Sequence, residues 1–357
     1  MRDPRETESA DGVAGGEAPG DGMREGRTRG GRTRGAEAPE GRTPGEATPA
    51  SWTPEAEAPE GETPQSRVPG PENTGPRPET PRLPPETGSL AVPGATLYYE
   101  VRGAGPLLLM LAGGNSDAAV FTGLADALAA DHRVVTCDPR GNSRSTLTGP
   151  PVDQRVEVHA DDAYRLLGHL APDGGPVRVF GSCSGGLAAL ELAARHPERI
   201  GALVVHEPPA FTLLADAAEH RAFVDTVHTA YVRDGVAAAM GRFSALFGGR
   251  ATPLLPEAHD NTAFFLAHML RPSTRFRPDL PALAPVVDRL TIGGGRDSRT
   301  HAVHRPAVAL AGRLGLPLVE FPGGHVGYAK WADEFASVLR EALSSYTRTV
   351  AKGPSAE

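Results

Sequence analysis

Residues Val177–Gly186 read VRVFGSCSGG. A run of branched and aromatic side chains closes on Gly181, with Cys183 two places later and Gly185 two beyond that. The spacing Gly-x-Cys-x-Gly predicts a sharp turn from strand to helix that exposes the central side chain, because flanking residues larger than Gly would strike the strand or the helix. Leu187, Leu190 and Ala194 then recur at helical spacing until Pro197. Backbone N–H groups at that helix start point toward the turn, which suits a nucleophile that becomes negatively charged. A frame shifted by one makes Ser184 the alternative nucleophile, with Ser182 in the first glycine's place.

Strand and helix signals alternate around this turn. SLAVPGATLYYEVRG reads as a hairpin about Pro93-Gly94. PLLLMLAGG, HRVVTCDPRG, VRVFG, IGALVVHEPP, RLTIGGG and PLVEF read as buried strands, with helical stripes such as Val156, Ala163, Leu167, Leu170 between them. That order predicts an α/β fold, a mostly parallel sheet with helices on both faces. From about 209 to 285 the strand signals stop. Phe223, Val227, Tyr231, then Phe243, Leu246, Phe247, then Phe264, Phe265, Met269 mark a helical insertion whose aromatic side chains mostly pack it down, while a few line an apolar pocket.

Composition bounds the rest. Residues 1–86 are crowded with Pro, Gly, Glu, Thr and Arg, and AEAPEGRTP from Ala36 returns as AEAPEGETP from Ala56, so they are expected to form a disordered low-complexity tail. Residues 87–349 suit one large domain, and 350–357 form a short polar tail. The basic run GRTRGGRTRG is diluted by acidic neighbours in a chain of net charge −8, so no nucleic-acid partner is expected. No apolar stretch has the form of a signal peptide or reaches membrane-spanning length, which makes the expected location cytoplasmic with no membrane partner. The two cysteines, Cys137 and Cys183, end different predicted strands and are read as thiols.

With the elbow at Cys183, this strand order and a His after the last strand, the chain resembles the α/β-hydrolase family. Most members carry Ser in the elbow, and dienelactone hydrolase, of the same superfamily, carries Cys. The resemblance implies Cys183 as nucleophile, His325 in FPGGHVGY as general base and Asp297 in TIGGGRDS as the carboxylate that orients it, in the family's chain order. Glu207 in VVHEPP is the alternative acid, since some members take it from that earlier strand. The oxyanion donors would be the N–H groups of Ser184, which follows the nucleophile, and Gly114 in LAGGNSD, where Ala112 stands in place of a frequent family His and Asn115 adds a side-chain contact. The helical insertion matches the family's cap.

The implied chemistry is cleavage of a carboxylic ester or lactone through a Cys-His-Asp triad and an acyl-enzyme, with a small-molecule acyl substrate as partner. An acyltransferase or thioesterase acting on a thioester is the first alternative, and a non-catalytic ligand-binding relative the second. Epoxide opening and carbon–halogen cleavage need an Asp in the elbow. No cofactor is expected, and no metal, because His301 and His304 lack a Cys or carboxylate spaced to complete a site. His206 is expected to be structural. The oligomeric state is not encoded in these patterns.

Overall fold

Gly94, at φ +82°, turns the chain between β1 (Glu86–Val92) and β2 (Ala95–Arg102), an antiparallel hairpin in register from Val92/Ala95 outward. The left-handed backbone there is what the Pro-Gly pair supplies. The structure is a computed structural model and describes residues 84–249 and 259–350, without the side chains of 259 and 345–350. The expected tail over 1–86 falls almost entirely outside these residues, as does that over 350–357.

Among the described residues, a nine-stranded sheet runs β1-β2-β4-β3-β6-β7-β8-β9, with the short β5 (Thr146–Leu147) beside β2. From β4 (Arg133–Cys137) through β3 (Leu107–Leu111), β6 (Val177–Ser182), β7 (Ile200–His206) and β8 (Leu290–Gly295) to β9 (Leu318–Phe321) every pairing is parallel. Alternate side chains serve two cores. Leu109, Leu111, Val179, Leu203 and Val205 pack with α2 (Val156–Leu170), α3 (Ser184–Arg195) and α8 (Arg305–Leu314), whereas Leu108, Met110, Phe180 and Val204 pack with α1 (Thr122–Leu128) and α10 (Ala332–Val350). A strand buried on both faces needs no polar side, which is why these runs are continuously apolar.

Between β7 and β8 the chain leaves the sheet for α4 (Ala217–Asp234), α5 (Val236–Phe243), α6 (His259–Phe264) and α7 (Leu270–Arg275). A π-helical turn, Phe265–Met269, joins α6 to α7. Val224, Val227, Ala239, Phe265, Leu266 and Met269 give this insertion its own small core. A short helix α9 (Gly327–Lys330) follows β9. No helix among the described residues is long and apolar enough to cross a membrane.

Candidate active site

The elbow is built at the junction of β6 and α3. Cys183 has φ +54°, ψ −129°, and α3 begins at Ser184. A non-glycine residue in this region is strained by roughly 1–3 kcal/mol, held here by packing on both sides. A Cβ on Gly181 would lie 2.6 Å from the Gly185 carbonyl oxygen, and one on Gly185 would lie 2.2 Å from that of Leu111. Both positions of the motif are therefore closed to any side chain, and the frame centres on Cys183. Ser184, the alternative nucleophile, is the first residue of the helix.

Cys183 is half-buried and free. His325, on the loop after β9, is close enough to Cys183 for the thiol to act on its ring. On the other edge of the ring, His325 Nδ1 donates to Glu207 Oε2 at 2.8 Å. The carboxylate facing His325 is thus Glu207 and not Asp297. The reason lies in the phase of the short turn after β8: Asp297 faces solvent, and its neighbour Ser298 is the buried residue that turns inward to donate to Glu207 Oε1. The Asp297 backbone N–H donates to the Gly323 oxygen at 3.0 Å.

Glu207 is completely buried and, like Cys183, has a positive φ, +45°. The two strained residues sit at the ends of adjacent strands, β6 and β7, each turning its side chain toward the same imidazole. Glu207 Oε1 also accepts from the Gly295 N–H at 2.8 Å and from His304 Nδ1 at 2.9 Å. Burial works to raise this carboxyl, yet the bonds from His304 and His325 hold it well below the usual carboxylate range. His304 and Ser298 were not singled out for this role by the sequence. The pair His301 and His304 reads in sequence only as a metal motif, and nothing local to it points at a carboxylate 97 residues earlier. Among the described residues no cluster of His, Cys, Asp and Glu is placed to hold a metal ion.

Burial disfavours the imidazolium of His325, but the charge and hydrogen bond of Cys183, followed by those of Glu207, outweigh it and push His325 up to about 10. The ring is poised to hold a proton beside the ionised Glu207 carboxylate. His206, by contrast, is a buried ring packed edge-on against Phe321 and Phe335, and burial pushes it down to about 4. It stays neutral and packs the core.

The predicted oxyanion loop passes directly over the elbow. A Cβ on Gly113 would lie 2.5 Å from Cys183 Cβ, and one on Gly114 2.5 Å from the ring of Phe265. Phe265 opens the π-helical turn, a feature that often marks a functional site because the extra residue bulges the helix outward. The Gly114 N–H is engaged: it donates to Ser184 Oγ at 2.8 Å. Asn115 Nδ2 donates to Thr262 Oγ1 of α6 at 3.3 Å, and Asn261 on the same helix exchanges bonds with Ser143, at 2.7 Å from the Ser143 N–H and 2.8 Å to its Oγ. The insertion is latched to the loops that flank the thiol. Phe247 closes the far side, its ring centroid 5.1 Å from that of His325 in edge contact.

A family model for the alpha/beta hydrolase fold matches residues 106–251. YraK of Bacillus subtilis, named an uncharacterized hydrolase, is 36% identical over 262 residues, spanning 72% of this chain and 95% of its own. Among solved structures, a thermophilic esterase from Thermogutta terrifontis covers 73% of this chain and 99% of its own with a TM-score of 0.55 at 21% identity. A hydrolase from Pseudomonas aeruginosa PA01 covers 72% and 98%, with a TM-score of 0.54 at 22% identity. These two likenesses are of fold. With a relative matched over nearly its whole length, and the strand-to-helix turn and strand order in hand, the chain belongs to the α/β hydrolase fold family and is a hydrolase.

Proposed function

We propose that the protein cleaves a carboxylic ester or lactone through Cys183, His325 and Glu207, with the oxyanion received at the Ser184 N–H. The observation that carries this reading is the hydrogen bond from the His325 imidazole to a fully buried carboxylate, with the half-buried thiol close enough to act on the same ring. A nucleophile needs a base, and a base needs a group that fixes its tautomer.

Sγ, having given its proton to His325 Nε2, attacks the acyl carbon, and the C=O electron pair moves onto oxygen. Collapse expels the alkoxide, which leaves with the proton held by His325. A water then gives a proton to the same nitrogen, attacks the thioester carbon and releases the acid, returning the thiol. Glu207 keeps Nδ1 protonated throughout, so Nε2 is the nitrogen that exchanges protons. Phe247 and Phe265 bring an apolar wall to the thiol, which favours an apolar acyl or leaving group.

The test is turnover of aryl esters and lactones by the wild type, Cys183→Ala and Cys183→Ser, with mass spectrometry of quenched reactions. A substrate-derived acyl mass on the Cys183 peptide, and loss of turnover in the Ala variant, are expected. Turnover that persists in the Ala variant rejects the reading. Product analysis with added alcohol or thiol acceptors separates hydrolysis from transfer, and acceptor products that outrun the free acid would move the enzyme to the acyltransferases.

A further inference from the structure

We infer that the side-chain hydroxyl of Ser184 is itself a donor in the oxyanion hole, and that the Gly114 amide acts through it. The inference rests on the ester or lactone reading and deepens it.

In the two-amide arrangement expected from the sequence, the N–H groups of Ser184 and Gly114 both face the developing charge. Here the Gly114 N–H is already spent on Ser184 Oγ, 2.8 Å away, in a buried contact. Neither partner has room to withdraw. The loop is held by Gly113 against Cys183 Cβ and by Gly114 against Phe265, and the Gly114 carbonyl is fixed by Asn142 Nδ2 at 2.8 Å. Ser184 is 8% exposed in the first turn of α3, where the next residue abuts the carbonyls of Leu111 and Ala112.

A serine hydroxyl has one proton and can accept and donate at once. With one of its two lone pairs taken by an amide, Oγ has its proton left to give, and the amide polarises that O–H into a stronger donor. The acyl oxygen that meets the Ser184 N–H on attack by Cys183 arrives beside the hydroxyl of the same residue. Rotation about the C–O bond turns the proton onto it without breaking the Gly114 bond. No proton is transferred. The Sγ–C bond forms, the C=O pair rests on oxygen under two hydrogen bonds from one residue, and the pair returns to the carbonyl when the leaving group departs.

Ser184→Ala and Ser184→Thr, assayed with p-nitrophenyl esters, test this. Removing one oxyanion donor elsewhere costs on the order of 10²–10³ in kcat. For Ser184→Ala a fall in kcat of about 10- to 100-fold is expected, with KM within about threefold, and Thr, which keeps the hydroxyl, should recover most of it. The control is alkylation of Cys183 by iodoacetamide, which needs the thiolate and builds no oxyanion; its rate should stay within about twofold in the Ala variant. An Ala variant as fast as or faster than wild type, as a plug of the Gly114 amide would give, overturns the inference, as does alkylation that falls in step with kcat. Cys183→Ala in the same assay separates the two failures: if it is inactive while Ser184→Ala is unimpaired, only this inference falls, and if it retains turnover, the ester reading falls first.

Discussion

Glu207 holds the imidazole of His325 at 2.8 Å across 118 residues of chain, and its second oxygen holds His304. One buried carboxylate thus anchors two rings. Glu207→Gln preserves shape but removes the charge that fixes the tautomer, and kcat on an aryl ester should fall by about 10²–10⁴. Asp297→Ala should stay within about twofold of wild type. Steady-state kinetics of the pair decides which carboxylate serves the base.

His304 is a positioning residue for that carboxylate. His304→Ala leaves Oε1 with Ser298 and Gly295 alone, so kcat/KM should drop about tenfold. Because His304 is the first of the bonds that hold the Glu207 carboxyl down, the acidic limb of the pH–rate profile should move to higher pH. A purely structural loss would lower the plateau without moving that limb.

The two thiols should part company toward alkylating agents. Cys137 is buried, and burial, with Asp138 and Asp162 nearby, pushes it up to about 12; a thiol of that kind is inert at neutral pH. Iodoacetamide should add one label per native chain, on Cys183, and two after unfolding. Peptide mapping before and after urea checks the assignment.

Stability should fall on both sides of neutrality, for opposite reasons. His206 is pushed down to about 4 by burial, and so is His159. The unfolded chain therefore binds more protons than the folded one between about pH 6.5 and 4, and stability declines as pH falls through that window, by up to about 3 kcal/mol for each ring. His325, raised to about 10, contributes stability below about pH 6.5 that is lost as pH rises toward 10. Urea midpoints against pH should show the dome, and His206→Phe should flatten its acid side while leaving the contribution of His159.

The elbow was legible because its requirement is local: Gly181 and Gly185 are dictated by atoms within a few residues or on the next strand. The sheet was legible because a doubly buried strand has an unmistakable composition. The carboxylate that faces His325 was harder. Two adjacent strands, β7 and β8, each end near a carboxylate, and which one faces inward depends on one residue of phase in a short turn, where Ser298 and Asp297 exchange inside for outside. The latch from Asn261 and Thr262 to the loops around the thiol joins residues 118 and 147 apart, and no period in a sequence reports such a pairing.

The π-helical turn over Phe265–Met269 has a consequence for how this enzyme diverges. Each residue of a helix advances the chain by about 100°, so deleting one residue there would restore a regular α-helix and swing Phe265 off Gly114. A single-codon deletion would then reshape the roof of the site while leaving the thiol, imidazole and carboxylate where they are, a short evolutionary route to a new substrate range.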